Sequence, residues 1–441
     1  MARIYPFRAW RYNSSTVRLE DVVTQPYDKI SPAMQQAYYQ RSPYNLVRLI
    51  LGLPELFDAD GGENVYTRAA RDFRAWREQG VLVQEKDPCV FAYSQRFKVP
   101  ATGEVKERRG FIALGKLHEY AEQVVFRHEH TLSKPKSDRL NLLRATRAHF
   151  GQIFMLYSDP AGSVEKILYE GAGPAESEVT DEYGVAHRVW RINDPAAIRL
   201  LATTMADKRL IIADGHHRYE TALNYMKECA HPAAAPGEHG STQLLRPPFP
   251  EAATMMTFVN MDSDGLLILP THRVVHSLKS FAPADFLERA GKFFAVELLA
   301  EMDAESCMAK LGAEEGIAFV AVTKAGAFLL RSNPKASETL LAGLPERQQQ
   351  LDLTHLHTVL LGHVLGLSPE MVKDQTNIRY LRDAAEAVEQ VRSAQADVTF
   401  LTNPVTMEQL REVAFAGEVM PQKSTDFYPK LLSGLTIYGL D

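Results

Sequence analysis

Apolar residues along the chain fall into two patterns, short continuous runs and runs with helical spacing, and together they predict a mixed α/β fold. The continuous runs predict buried strands, and the polar, glycine-containing stretch 100–106 predicts a hairpin between the first two. The run 46–51, which is apolar apart from Arg48, also predicts a strand. The predicted buried strands lie at 90–94, 109–114, 153–157, 210–213, 254–259, 317–322, 328–331 and 397–402.

Helical spacing predicts helices at 66–79, from His216 onward, at 353–364 and at 407–416. Gly80 is the expected C-cap of the first of these. Beyond residue 275 the pattern becomes a regular α/β alternation. We therefore expect two parts, 1–275 and 276–441.

The stretch Leu210–Leu223 reads as strand, tight turn and helix, with Asp214-Gly215 as the turn. Backbone N–H groups at a helix start lack internal partners and carry the positive end of the helix dipole, so an anion can bind there. Arg218 can add a forked pair of hydrogen bonds. Gly215 lets a ligand approach the backbone, and Asp214 stands where ligands bind in open α/β sheets.

Each residue of this turn could instead have an ordinary structural role that involves no ligand. Asp214 could only cap the helix, His216 and His217 could be packing residues, and Arg218 could be a surface charge. Taken singly, these roles are favoured. Five consecutive polar or small residues between a buried strand and an amphipathic helix favour a ligand site instead.

Charge and cysteine content narrow the class of protein. The net charge is −6 with 24% charged residues, which argues against broad binding to a nucleic-acid backbone. Cys89, Cys229 and Cys307 are far apart and form no CxxC pair, which fits a reducing compartment. The sequence shows no apolar signal core and no stretch that could span a bilayer, so we expect a cytoplasmic protein without membrane contact.

Three further polar segments interrupt the apolar pattern. The segment 127–139 is dense in charged groups, and its His-Glu-His run matches no strong zinc signature, with a solvated loop as the alternative. A second polar insertion, 269–275, contains His272 and Arg273. In the third segment, Lys423-Ser424-Thr425 supplies a cation and two hydroxyls that suit a phosphate. The alternative is a turn with a solvated lysine. This segment is not a Walker loop, because the glycine-rich sequence that precedes the lysine in such loops is missing.

Several of these motifs occur in an order that resembles a known family. They are Pro26-Tyr27-Asp28, Arg127–Thr131 with Asp138-Arg139, Ala213–Tyr219, Leu269–Arg273 and Met420–Thr425. Together they resemble the bacterial and archaeal family called domain of unknown function ten-fifteen, over nearly the whole chain. That family brings no established reaction.

The turn 214–220 is also similar, locally, to the phosphate-binding turn of the ParB and sulfiredoxin superfamily, which includes nucleotide-dependent free-serine kinases. The resemblance implies a ParB/sulfiredoxin-like fold for 1–275 and nucleotide phosphates gripped by Gly215, His217 and Arg218. Sulfiredoxin has a catalytic cysteine where this chain has His216, which puts sulfinic-acid reduction in doubt. No helix-turn-helix of the DNA-binding partition proteins is apparent, so nucleic acid is not an expected partner.

The leading hypothesis is a nucleotide-dependent phosphotransferase, a kinase acting on a small, amino-acid-like molecule with ATP or ADP and Mg²⁺. Asp214 or Glu129 would bind Mg²⁺ or act as general base, and Lys423 would stabilise the transferred charge. We expect the 423–425 loop of the C-terminal part to lie close to the turn. The remaining site residues are His216, with Ser424 and Thr425, on the nucleotide, and Arg127, His128, His130, Asp138, Arg139, His272 and Arg273 on the substrate.

Two other classes of function remain open at this point. One is a metal-dependent hydrolase that uses His128, His130, His216, His217 and His272. The other is a non-catalytic nucleotide-binding or regulatory protein. The sequence leaves a homodimer open.

Overall fold

The computed structural model describes residues 1–59, 61–129, 133–229 and 245–441. His130 and most of the stretch 230–246, expected from sequence to be a loop near the site, lie outside the described residues. The chain is mixed α/β, as predicted. The strands are β1 Ile4–Tyr5, β2 Trp10–Tyr12, β3 Leu82–Gln84, β4 Val90–Lys98, β5 Val105–Lys116, β6 Val125–Phe126, β7 Ala148–His149, β8 Ile153–Tyr157, β9 Ser177–Thr180, β10 Ala186–Ile192, β11 Leu210–Asp214, β12 Ala253–Asn260, β13 Leu267–Leu269, β14 His272–Val275, β15 Phe294–Leu298, β16 Ala318–Thr323, β17 Gly326–Ser332, β18 Ile378–Leu381, β19 Val398–Leu401, β20 Asp426–Tyr428 and β21 Tyr438–Gly439.

The helices follow the same chain order. They are α1 Leu19–Val22, α2 Pro32–Arg41, α3 Val47–Ile50, α4 Val65–Glu78, α5 Ser133–Thr146, α6 Ser163–Tyr169, α7 Pro195–Met205, α8 His216–Cys229, α9 Pro283–Ala290, α10 Ala304–Gly312, α11 Pro334–Leu341, α12 Glu346–Gln349, α13 Asp352–His355, α14 Pro369–Lys373, α15 Ala384–Arg392 and α16 Met407–Phe415, with 3₁₀ turns at Tyr27–Lys29, Tyr120–Glu122 and Pro250–Ala252.

The chain divides into two compact units. The first consists of Met1–Phe126, Thr131–Leu267 and Pro429–Asp441, and the second of Arg127–His130 and Ile268–Tyr428. The sequence placed a boundary near residue 276, and that domain boundary stays a prediction. The C-terminal segment from Pro429 belongs to the first unit, which the apolar pattern gave no reason to expect.

A nine-stranded sheet forms the centre of the first unit, in the order β6-β11-β8-β12-β5-β4-β10-β9, with β1 beside β5. β11 lies between β6, which is parallel to it, and β8, which is antiparallel. Residues of β11 and β8 are almost entirely buried because helices cover them. The predicted hairpin is confirmed as β4 and β5.

Helix α8 packs one face into this core, since Tyr219, Ala222 and Leu223 are buried at helical spacing. The predicted start of this helix at His216 is confirmed. The strand predicted at 46–51 is wrong, because these residues form helix α3. The Asn45 side chain, just before the helix, accepts a hydrogen bond from the Val47 N–H at 3.0 Å. A short, mostly apolar run does not distinguish a buried strand from a buried helix.

The second unit is built on a six-stranded antiparallel sheet in the order β15-β17-β16-β19-β14-β18. The helix predicted at 353–364 is confirmed, with a π-helical stretch over Leu356–Val364 after α13. The Leu365 N–H donates to the Leu360 carbonyl, five residues back, at 2.9 Å. Residues of β14, which carries His272 and Arg273, are buried.

Candidate active site

The turn between β11 and α8 places Asp214 at the end of a buried strand and His216 at the first position of a helix. Gly215 between them has a φ of +92°, a conformation that residues with a Cβ rarely adopt. A Cβ built on Gly215 would lie 3.0 Å from the guanidinium carbon of Arg218. Glycine is therefore required here both for the backbone and for the space that Arg218 occupies.

Arg218 lies between two glycines and two acceptors. Its Nη1 lies 3.3 Å from where a Cβ on Gly151 would stand and donates to the Gln152 carbonyl. Its Nη2 donates to Asp214 Oδ2 at 3.3 Å, and the side chains of Arg218 and Asp214 are 14% and 25% exposed. The guanidinium is thus fixed beside the carboxylate and still reaches solvent.

The carboxyl of Asp214 is surrounded by basic groups. Burial raises its pKa, but the positive charges of Lys430, Arg218, Lys29 and His216 outweigh burial and hold the pKa well below its ordinary value. Asp214 is therefore ionised throughout the neutral range. Sequence reasoning missed Lys29 and Lys430, although Lys29 directly follows Pro26-Tyr27-Asp28 and Lys430 lies five residues beyond Met420–Thr425.

A small cavity of about 70 Å³ adjoins Arg218 in the first unit. The predicted substrate residue Arg139 also lines it, stacking 4.1 Å above the ring of Tyr27. Arg139 donates to Asp138 Oδ2 at 2.8 Å and to the Ile50 carbonyl at 2.7 Å. The remaining residues that line the cavity are Pro26, Leu142, Leu143, Ala148, His149, Phe150, Gly151, Thr221, Thr254 and Ser433.

In the second unit, Glu129 holds the loop that carries the predicted phosphate-binding hydroxyls. Its Oε1 accepts hydrogen bonds from the Ser424 N–H at 3.1 Å, the Thr425 N–H at 3.3 Å and the Thr425 hydroxyl at 3.4 Å. His128 Nε2 lies 2.7 Å from the same hydroxyl, and its carbonyl accepts from the Met420 N–H at 2.8 Å. These contacts give Glu129 and His128 a structural role in shaping the loop.

Arg273 and His272 are also bound to loops of the second unit. Arg273 is fully buried and donates to the carbonyls of Thr271 and of Lys423, the latter at 3.1 Å. Burial lowers its pKa to about 10. Burial likewise lowers the pKa of His272 to about 4, and the neutral ring accepts from the Thr402 N–H at 3.2 Å.

The predicted site residues therefore fall into two groups, one in each unit. We predicted that His272 and Arg273 contact the substrate, and this stays a prediction. The predicted position of the 423–425 loop near the turn between β11 and α8 also stays a prediction. The first unit holds Asp138, Arg139, Asp214, Gly215, His216, His217 and Arg218, and the second holds Arg127, His128, Glu129, His272, Arg273, Lys423, Ser424 and Thr425.

Potential metal ligands are sparse where the chain is described. Within residues 1–59, 61–129, 133–229 and 245–441, no group of three or more His, Cys, Asp or Glu residues is placed to hold a metal ion. A single carboxylate such as Asp214 remains available, and Mg²⁺ is commonly held by one or two carboxylates together with substrate phosphates.

The chain belongs to the family described as Protein of unknown function (DUF1015), whose model matches residues 4–354. The predicted family is thus confirmed. A comparison with curated proteins found no match. None of the helices in the described parts of the chain is long and apolar enough to cross a membrane.

Solved structures resemble the chain at low identity. A free serine kinase variant in complex with ADP aligns over 69% of this chain and 84% of its own, with 13% identity and a TM-score of 0.36. Another variant, in complex with AMP, aligns over the same shares with 14% identity and a TM-score of 0.35. C-terminally truncated SbnI from Staphylococcus aureus aligns over 73% of this chain and 85% of its own, at 11% identity and a TM-score of 0.35. With TM-scores this low, the ParB/sulfiredoxin-like fold of residues 1–275 stays a prediction.

Proposed function

We propose that this protein is a nucleotide-dependent phosphotransferase, a small-molecule kinase that binds ATP or ADP with Mg²⁺ at the turn between β11 and α8. One observation carries the proposal: the ionised carboxylate of Asp214 stands at a helix start beside Arg218, within the field of Lys29 and Lys430. Phosphoryl transfer requires this combination, because catalysis consists largely of positioning and neutralising phosphate charge.

Phosphate binding follows from three features of the turn. The first N–H groups of α8 present the positive end of the helix dipole, and Gly215 lets the Arg218 guanidinium lie against the backbone beside them. Arg218 is already fixed by the Gln152 carbonyl, so little conformational entropy is lost when it binds an oxyanion. Lys29 and Lys430 would add two flexible cations to the same site.

Asp214 suits a metal ligand better than a general base. A base is most effective when its pKa lies near the working pH, and the pKa of Asp214 is held far below it. An ionised carboxylate is the oxygen ligand that Mg²⁺ prefers, and bound Mg²⁺ would neutralise charge on the phosphate oxygens. The surrounding cations repel a free divalent ion, so Asp214 would hold Mg²⁺ best when the nucleotide phosphates are also bound.

The cavity beside Arg218 suits the acceptor rather than the nucleotide. Its volume of about 70 Å³ offers room for roughly five water molecules, each of which needs about 10–15 Å³ of such space. Arg139 would orient an acceptor from one wall, while Leu142 and Leu143 form an apolar wall. A small, amino-acid-like molecule matches this size.

Nucleotide titration and turnover test this proposal. Arg218→Ala is expected to weaken ATP or ADP binding by roughly 1–3 kcal/mol, the usual value of a charge-assisted hydrogen bond. The matched control is Arg188→Ala, which removes an ion pair between Arg188 and Glu178 on β10 and β9. Equal calorimetric affinity in parent and Arg218→Ala, or failure of the parent to bind any nucleotide, would refute the proposal.

Turnover separates a kinase from a protein that only senses nucleotide. The parent with ATP, Mg²⁺ and a pool of small hydroxyl metabolites is expected to release ADP and a phosphorylated product, followed by ³¹P NMR. Lys423→Met reports whether the 423–425 loop serves the same reaction, since we expect kcat to fall while nucleotide affinity changes little. Binding without product would leave a nucleotide-binding regulatory protein.

A further inference from the structure

Backbone groups at the C-terminal end of the first unit are held by side chains instead of a neighbouring strand. The stretch 430–432 has no regular secondary structure. Gln95 Nε2 on β4 donates to the Lys430 carbonyl at 2.8 Å, and Arg108 Nη2 on β5 donates to the Pro429 carbonyl at 2.5 Å. Both side chains are about 1% exposed. The main chain that carries Lys430 is therefore fixed from inside the sheet.

The orientation of the Gln95 amide is determined by its partner. Arg108 has only donors, and its Nε lies 3.1 Å from Gln95 Oε1. The amide oxygen must therefore face Arg108, and the amide nitrogen must face the Lys430 carbonyl. A buried amide bonded on both sides cannot rotate without leaving polar atoms unpaired, which costs roughly 1–3 kcal/mol for each group.

A buried hydrogen-bonded chain continues from β4 to the N-terminal segment. The Tyr93 hydroxyl lies 2.7 Å from His187 Nδ1, and His187 Nε2 lies 3.2 Å from Asp181 Oδ2. Burial lowers the pKa of His187, so the neutral ring donates through Nε2 to the carboxylate and accepts from Tyr93. Asp181 also accepts from Gln25 Nε2 at 2.9 Å.

The hydrogen-bonded side chains contact two segments of the polypeptide, one around Gln25 and one around Lys430, and these segments also bind each other. Gln25 precedes Lys29 by four residues, and Gln95 holds Lys430 directly. The segments are joined by a pair of backbone hydrogen bonds between Thr24 and Ser433, at 3.1 and 2.8 Å. Buried side chains thus bind the main chain of the Lys430 segment through Gln95 and the side chain of Gln25 on the Lys29 segment.

We propose that Gln95 is a positioning residue that holds Lys430 beside Asp214. The inference rests on the proposed function, in which Lys430 binds phosphate. A lysine side chain has about 2 kcal/mol of rotamer entropy, so a fixed main chain is what limits where its ammonium group can reach. Buried polar groups far from the ligand would then determine the geometry of the binding site.

A double-mutant cycle tests whether Gln95 acts through Lys430. Lys430→Met is expected to weaken ADP binding by roughly tenfold or more, and Gln95→Met by a smaller factor. If Gln95 works by placing Lys430, the double variant binds as Lys430→Met does, because the second change has nothing left to displace. Multiplied effects of the two changes would overturn the proposal.

A second measurement needs no nucleotide. Acylation of Lys430 by a water-soluble succinimidyl ester, read by peptide mass spectrometry, is expected to rise several-fold in Gln95→Met. Lys166, an exposed residue on α6, serves as the internal control and keeps its rate. An unchanged rate at Lys430 would overturn the positioning role, whereas a raised rate in a protein that binds no nucleotide supports it and refutes the proposed function alone.

Gln95→Glu guards against a variant that fails to fold. It keeps the size of the side chain, and its carboxylate can still pair with Arg108, so the melting temperature should stay close to that of the parent. One carboxylate oxygen then faces the Lys430 carbonyl and repels it. Labelling of Lys430 should rise as in Gln95→Met, and parental labelling in a folded Gln95→Glu protein would contradict the proposal.

Discussion

Arg218 Nη2 and Asp214 Oδ2 are 3.3 Å apart across the first turn of α8, four residues apart in sequence. The guanidinium also donates to the Gln152 carbonyl, and its remaining N–H groups can bind a ligand. An oxyanion at this helix start would share Arg218 with Asp214 instead of displacing it. In the proposed function, the pair would form one half of a phosphate site, and Lys29 and Lys430 would supply the other half.

Asp214→Asn should separate metal binding from a purely structural role. Asn has nearly the same shape as Asp, so the melting temperature at neutral pH should fall only by what the ion pair with Arg218 contributes. Turnover should fall by roughly a hundredfold or more if Asp214 holds Mg²⁺, since a metal ion that stabilises transition-state charge contributes several kcal/mol. Steady-state kinetics with varied Mg²⁺ measure this, and raised Mg²⁺ should restore part of the rate.

The same variant has a defined pH dependence. The folded pKa of Asp214 is lowered below its unfolded value of about 3.9, so its contribution to stability is present above that pH and is lost as the pH falls below it. The difference in unfolding free energy between parent and Asp214→Asn should be constant from pH 5 to 8 and shrink in more acidic solution. Full activity of the variant at limiting Mg²⁺ would leave Asp214 with a structural role only.

Gly215→Ala should disturb Arg218 as well as the backbone. An alanine here would have to adopt a φ of +92°, and its Cβ would lie 3.0 Å from the guanidinium carbon of Arg218. The strained backbone alone costs roughly 1–3 kcal/mol. We expect a lower melting temperature and weaker nucleotide binding, measured by calorimetry. Gly162→Ala is the control, because Gly162 has a φ of +64° with open space around its Cβ position. Equal nucleotide affinity in both variants would show that Arg218 is not crowded.

Glu129 offers a separate test of loop shaping against catalysis. Glu129→Ala removes one acceptor that serves three donors on Ser424 and Thr425, so hydrogen exchange of those two amides should become faster. Glu129→Gln keeps an acceptor oxygen and should preserve their protection. If Glu129 is also the general base, turnover is lost in Glu129→Gln although the loop stays protected. Retained turnover in that variant would limit Glu129 to its structural role.

Asp352, at the start of α13, gives the second unit an opposite response to pH. Burial raises its pKa to about 6. Its folded pKa therefore exceeds the unfolded value of about 3.9, so the folded state binds the extra proton and stability falls as the pH rises from about 4 to 6. Asp352→Asn should be more stable than the parent at pH 7 by at most about 3 kcal/mol. Urea titrations at pH 4 and pH 7 measure the difference, which should approach zero at the lower pH.

Local patterns in the sequence were sufficient to predict the turn at Asp214. An apolar run, an Asp-Gly pair and helical spacing are all encoded within about fifteen residues, and strand β11 and helix α8 follow them. The helical conformation of α3 could not be predicted in the same way, since three apolar residues around Arg48 fit a strand or a helix until tertiary contacts decide.

The basic groups around Asp214 could not be predicted from the sequence, for a different reason. Lys29 and Lys430 are separated from Asp214 by about half the chain in opposite directions, and no periodicity connects them. The main chain of Lys430, for example, is bound by Gln95, a residue more than three hundred positions earlier in the chain. Glu129 is a similar case, because its three hydrogen bonds are made to residues almost three hundred positions away.

The first unit is formed by segments that are separated in the sequence, and this affects how it can fold during synthesis. Its final segment, Pro429–Asp441, emerges from the ribosome only after the whole of Ile268–Tyr428. The second unit can therefore fold while the first still lacks β21, the partner of β7, and the lysine that faces Asp214. Under the proposed function, the nucleotide site would stay incomplete until the segment that carries Lys430 has been synthesised. A product that ends before residue 429 would lack this segment and leave β7 without its partner strand.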